Sequence, residues 1–143
     1  MGPGFLTEGV IAPAGPAAQG IETCLHYADG LGTKRDDAFR AAYAKAFKSE
    51  PDVYSVAGYD SGLLLNAGLR AVKGDVGKKN EIVAAMEKET VDSPRGKWRL
   101  SKAHNPVQDI YLRKVVGGQN KYVSVAVKAL DDDPAMASAC KMA

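Results

Sequence analysis

The sequence holds almost no equipment for catalysis or metal binding. It has two cysteines, two histidines and one tryptophan in 143 residues. His26 and His104 lie far apart, and neither an H-x-x-x-H nor a C-x-x-C spacing occurs, so zinc-type ligation has no basis. The segment Gly58-Tyr59-Asp60-Ser61-Gly62 has its serine one place late for a nucleophile elbow, and in a helical context. Gly74-Asp75-Val76-Gly77-Lys78-Lys79 lacks the spacing of a phosphate-binding loop. No enzyme and no cofactor are expected.

Charge of one sign is also missing. Nineteen basic and seventeen acidic residues leave a formal net charge of +2. No lysine or arginine cluster is interleaved with aromatics, which argues against a nucleic-acid partner. The Lys78-Lys79 pair reads as a solvated helix start. No run approaches the roughly 18 consecutive apolar residues that span a bilayer. The first residues lack a basic n-region, and Glu8 interrupts their apolar run, so no signal peptide is expected there. Cys24 and Cys140 are compatible with thiols in a reducing compartment or with a bridge in an oxidising one.

What is present is an ordinary globular composition, 45% hydrophobic and 25% charged, enough for a core of its own. Residues 1–20, rich in Gly, Pro and Ala, read as loop. Ile21–Tyr27 alternates as a strand does and ends at Ala28–Gly32. Phe39, Ala42, Tyr43, Ala46 and Phe47 form one stripe of a helix, with Thr33 as N-cap and Asp36 and Asp37 in the first turn. Pro51 stops that helix near Ser49. A second helix runs from about Val53 to Val72. Its Gly58, Gly62 and Gly68 suggest close packing against a neighbouring backbone. A third carries Ile82, Val83, Ala85 and Met86.

Strands follow at Lys97–Leu100, Asp109–Val116 and Tyr122–Val127, the last two joined through Gly117-Gly118-Gln119-Asn120. Val123, Val125 and Val127 alternate with Tyr122, Ser124 and Ala126, so one face of the last strand is expected to be buried. The tail beyond Asp131-Asp132-Asp133-Pro134 is expected to be poorly ordered. His26 reads as a strand residue and His104 as a turn residue. The class is α/β, with more sheet required than these strands supply.

Several segments, in order, resemble one family. They are Gly2-Pro3-Gly4-Phe5 followed by Gly20-Ile21, the helix Asp37–Phe47 ending at Glu50-Pro51, Tyr54–Asp60, and Ser93-Pro94-Arg95-Gly96-Lys97 leading into a hairpin. The chain resembles the C-terminal part of type I periplasmic binding proteins, the leucine/isoleucine/valine-binding group and its relatives. That resemblance implies a partial periplasmic-binding-protein type I fold. Residues 1–30 would then end the second lobe and cross over, 31–108 would be part of the first lobe, and 109–143 would return through crossover strands to the tail. It also implies periplasmic or other extracytoplasmic placement. The partners would be a small amino-acid-like or aromatic carboxylate solute and the permease subunits of an ABC transporter, with self-association of the partial chain a further expectation. A ligand-sensing receptor module of the same fold is the alternative.

By the same resemblance, ligand contacts fall on Gly4, Phe5 and Leu6 and on Tyr54, with Tyr59 and Asp60 nearby. Tyr54 reads equally well as a core residue. Tyr59 and Asp60 read also as helix packing and a surface or hinge hydrogen bond. In the leucine/isoleucine/valine group an acidic residue after the Gly-Pro of this loop neutralises the ligand's ammonium. Here Gly4 and Phe5 follow instead, which favours an apolar or aromatic carboxylate. The returning tail brings Cys140 toward the lobe of Cys24, and a bridge between them is expected.

Overall fold

The computed structural model describes Gly2–Pro3 and residues 6–134. In chain order the elements are β1 (Gly2–Pro3), α1 (Glu8–Ala14), a 3-10 turn (Gly15–Ala18), β2 (Glu22–Leu25), α2 (Lys34–Phe47) and α3 (Val53–Ala71). They continue as α4 (Lys79–Lys88), β3 (Thr90–Ser93), β4 (Gly96–Leu100), β5 (Pro106–Val116) and β6 (Gln119–Leu130).

The helices start where side chains can satisfy the free N–H groups of a first turn. Thr33 Oγ1 accepts the Asp36 N–H at 3.1 Å, and Lys48 closes α2 in the left-handed conformation. Asp52 and Ser55 form a reciprocal capping box at α3, with Asp52 Oδ1 accepting the Ser55 N–H at 2.7 Å. The α2 stripe is only half used. Phe39 is buried and Tyr43 half-buried, but Ala42, Ala46 and Phe47 face outward.

Of the three α3 glycines, Gly68 alone is in close contact. A Cβ there would stand 2.8 Å from Ile82 Cγ2 and 3.1 Å from the Ile82 carbonyl oxygen of α4. Gly58 and Gly62 have nothing within 4 Å, so the expected close packing holds at one position of three.

β5 organises the sheet, whose order is β1-β2-β5-β4-β3 with β6 also on β5. β6 runs antiparallel along β5 from Gln108 to Val116. β2 pairs with Tyr111–Lys114, and β4 meets β5 at Pro106 and Val107. One long strand thus serves two groups of strands. The β5–β6 turn is the two residues Gly117-Gly118, both at positive φ, which suits a tight hairpin. Gln119 and Asn120 already belong to β6.

Two separate cores result. Tyr27, Phe39, Val53 and Val56 pack together with Leu25, Leu31 and Tyr43. Ile11, Ala18 and Val115 form the other, with Leu6 and Ala14 against it.

Two sequence expectations fail here. Residues 1–20 are not one loop, because Glu8–Ala14 is helical and buries Ile11 against Val115. Pro13 lies inside this helix, one residue before its end. From Tyr122 onward β6 leaves both faces largely open: Tyr122, Val123, Val125 and Val127 are 36–48% exposed, while Asn120 near its start is buried and bonded to the Leu6 carbonyl and Glu8. Asp131 and Asp132 are tied down, by Arg99 at 3.1 Å and by Asn105 at 2.8 Å. The tail beyond Pro134, expected to be poorly ordered, and Cys140 with it, lie outside the described residues. Among those residues no helix is long and apolar enough to cross a membrane.

Candidate ligand site

α3 turns Val53, Val56 and Asp60 inward, and that spacing leaves Tyr54 pointing out at 68% exposure. Tyr54 is not a core residue. It stands in the first turn of the helix as a flat, accessible ring with a hydroxyl, the chemistry of a ligand wall. One turn later Tyr59 is half-covered. Its ring lies 4.9 Å from Phe39, and its hydroxyl accepts from Arg35 Nη2 at 3.1 Å.

Asp60 is 2% exposed, so it makes neither a surface bond nor an open contact. Its Oδ2 accepts from Arg95 Nε at 2.5 Å and from Trp98 Nε1 at 3.0 Å. The Arg95 guanidinium also stacks on the Trp98 ring, 4.9 Å from its centre. Gly96 takes φ +101°, where a Cβ would meet the Tyr111 hydroxyl, and Tyr111 donates to the Arg95 carbonyl at 2.5 Å. The Ser93-Pro94-Arg95-Gly96 turn is thereby clamped to α3. Asp60 Oδ1 and Arg95 Nη1 remain buried without a partner among the described residues.

Leu6 reaches the site through its backbone. Its carbonyl accepts from Asn120 Nδ2 at 2.7 Å and from Arg113 Nη2 at 3.4 Å, while its side chain packs on the Ile11 core. Arg113 is fully buried, donating also to Thr23 Oγ1 and the Tyr27 carbonyl. Desolvation lowers its pKa, with the charge of Glu8 opposing.

Between these two groups lies the segment after β2. Asp29 exchanges backbone hydrogen bonds with Asn120 and Tyr122 of β6. Arg40 of α2 holds the same segment, donating to Asp29 Oδ1 at 2.8 Å and to the Tyr27 hydroxyl at 3.1 Å. Tyr27 in turn donates to buried Asp36 at 2.8 Å. Burial raises the pKa of both Tyr27 and Asp36. His26 lies in this segment, one residue beyond β2. Burial lowers its pKa to about 4, helped by Arg95 and Arg113 and opposed by Asp60 and a hydrogen bond with the Val53 backbone.

Of the residues expected from sequence, Tyr54, Tyr59 and Asp60 share α3 but face three ways: outward, against α2, and into the Arg95 clamp. Gly4 and Phe5 lie outside the described residues, and Leu6 presents a carbonyl. Sequence reasoning passed over His26, Arg95 and Arg113. Arg95 was legible only as part of a turn, and a buried arginine in an alternating strand carries no local signal. A 320 Å³ groove between α3 and β3, lined by Arg35, Asn66, Arg70 and Thr90, holds none of the expected contacts. No group of three His, Cys, Asp or Glu among the described residues is arranged to hold a metal.

The chain is a two-core α/β fold in which β5 is shared between two groups of strands. Residues 1–120 match the family model described as periplasmic binding protein. The chain belongs to the periplasmic binding protein family.

Among solved members, a solute-binding protein of an ABC transporter from R. palustris, in complex with benzoate, is 49% identical over 92% of this chain and 36% of its own, with a TM-score of 0.86. One from Rhodopseudomonas palustris BisB5, in complex with 3,4-dihydroxybenzoic acid, is 30% identical over 91% of this chain and 36% of its own, with a TM-score of 0.78. A leucine-binding protein from Thermotoga maritima shares the fold at 19% identity and a TM-score of 0.69, over 82% of this chain and 34% of its own. The chain therefore spans about a third of the length of these family members. No curated protein matches it.

Proposed function

We propose that this chain is part of an ABC transporter's solute-binding protein that captures an aromatic carboxylate between two lobes in the periplasm and delivers it to the membrane permease. The observation that carries this reading is the 49% identity, across 92% of the chain, to a relative that holds benzoate. The 30% identical relative holds a dihydroxylated benzoic acid. The resemblance to the leucine/isoleucine/valine group gives the fold, and within the family we place the chain with the aromatic-acid binders.

Physical chemistry points the same way. The loop Gly2-Pro3-Gly4-Phe5 has no acid to pair with an α-ammonium. An ammonium left unpaired in a closed, dry cleft costs several kcal/mol, more than about a thousandfold in affinity. A benzoate-like solute carries no ammonium and suits aromatic walls such as Tyr54. The two cores support the division into residues 1–30, 31–108 and 109–143. The first core joins the β2 end to α2 and α3, and the second joins α1 to the end of β5. Closure of the lobes, with no chemistry, would trap the solute.

A thermal-shift screen of the full-length protein tests the reading. Benzoate and dihydroxybenzoate are expected to raise the melting temperature, and leucine, isoleucine and valine are not. Stabilisation by the branched-chain amino acids alone would overturn it.

A further inference from the structure

The groove between α3 and β3 stands apart from the expected solute contacts. Tyr54 is in the first turn of α3, and the groove-lining stretch from Leu63 to Arg70 follows about 14 to 24 Å further along the helix axis, at roughly 1.5 Å per residue. Its volume of 320 Å³ is at the small end for a ligand site.

Part of the lining is already satisfied. Arg35 donates through Nε to the Asp92 carbonyl at 3.0 Å and through Nη2 to the Tyr59 hydroxyl at 3.1 Å. Its guanidinium also lies over the Tyr59 ring, 5.5 Å from the centre. The Asp92 carboxylate, 3.6 Å from Arg35 Nε, offsets the charge.

The rest is not satisfied. Arg70 and Glu89 carry opposite charges and line the same groove, yet they pair neither with each other nor with any other described residue. The side chains of Asn66 and Thr90 beside them make no hydrogen bond among the described residues either. Leu63, Ala67 and the buried Val91 add an apolar strip. Two cations and two acids leave the lining neutral, which favours neither a simple anion nor a simple cation. A ligand bearing both charges would meet Arg70 with its carboxylate and Glu89 with its ammonium, each through charge-assisted hydrogen bonds.

We infer that this groove is a second ligand site, taking a compact apolar zwitterion, an amino acid whose carboxylate sits on Arg70 and whose ammonium sits on Glu89. Asn66 and Thr90 supply further polar contacts, and the apolar part of the ligand rests on Leu63, Ala67 and Val91. The site does not rest on the aromatic-acid reading. Asn66, Arg70 and Thr90 are exposed, so solvent weakens each contact and binding is expected in the millimolar range. Such a ligand leaves the melting temperature unmoved at micromolar concentrations.

The test is an NMR titration of the full-length protein with L-proline, carried out with benzoate already at saturation. Amide shifts are expected at Asn66, Arg70 and Thr90 and not at Tyr54. Pyrrolidine lacks the carboxylate and cyclopentanecarboxylate lacks the ammonium, and each is expected to bind about tenfold more weakly than proline. Arg70→Gln and Glu89→Gln are each expected to weaken proline by about tenfold and to leave benzoate unchanged. The three-ligand comparison on the wild type needs no variant to fold.

Absence of proline shifts in the groove, or equal binding of either singly charged analogue, would overturn the assignment and leave the proposed function standing. Proline shifts that centre on Tyr54 and vanish with benzoate would put proline in the solute cleft and overturn it too. Failure of benzoate itself to bind would count against the proposed function alone, because the Asn66 and Thr90 shifts still report on the groove.

Discussion

His26 links folding to pH. An unfolded histidine takes up its proton near pH 6.5, whereas in the folded chain burial delays this to about 4. Between those values the unfolded state binds more protons, so stability present at neutral pH is lost on acidification from about 6.5 to 4. At about 1.4 kcal/mol per pH unit, the loss amounts to a few kcal/mol at most. Asp36 works with the opposite sign. Burial raises its pKa above 3.8, so its contribution declines as pH rises past that value. Urea melts of the wild type minus those of His26→Asn therefore isolate the histidine, and the difference is expected to shrink toward pH 4.

Two glycines make a second residue-scale test. Gly58→Ala fills open space in a helix interior and is expected to stabilise by about 0.5–1 kcal/mol. Gly68→Ala would press on the Ile82 carbonyl oxygen, which cannot swing aside as a side-chain tip can, and is expected to destabilise. Chemical denaturation of both variants reads the contrast.

At the scale of elements, α3 is held to β3 and β4 by one charged clamp. Removing Asp60 leaves Arg95 buried without its counter-charge, and Asp60→Ala is expected to cost about 3–5 kcal/mol. Replacing the pair together with apolar residues is expected to cost less, because no orphan charge remains. A double-mutant cycle by thermal denaturation measures the difference. The start and stop of α2 were legible in Thr33 and Pro51, because capping and proline chemistry act within four residues. β3 was not. Thr90–Ser93 contains Asp92 and only one buried apolar residue, Val91, and its pairing partner β4 makes it a strand. α1 was equally hidden behind Gly9 and Pro13, since a seven-residue helix is unstable until Ile11 finds Val115.

For the whole molecule, β6 decides the behaviour of the chain by itself. Its apolar side chains are open on both faces, from Tyr122 to Leu130, a pattern that invites pairing. The 143-residue chain is expected to self-associate in sedimentation velocity, and Val125→Lys with Val127→Lys is expected to shift it toward monomer. Calorimetry of the same chain is expected to show negligible solute binding, because it spans about a third of its relatives and cannot close two lobes on a ligand. A tight one-to-one complex would contradict that.

By itself the sequence determined the α/β class, the extents of α2 and α3, the existence of the β5–β6 hairpin though not its full length, and the family. These follow from caps, breakers, periodicity and short ordered motifs, all of them local. Tertiary structure decided which charged groups are buried. Asp60 meets Arg95 across 35 residues and Arg113 meets Thr23 across 90, and no spacing rule announces either pair. It also decided that His26, one residue beyond β2, is buried enough for its pKa to fall. Desolvation and long-range charge depend on what the whole fold brings near a side chain, and that information lies in no single window of the chain.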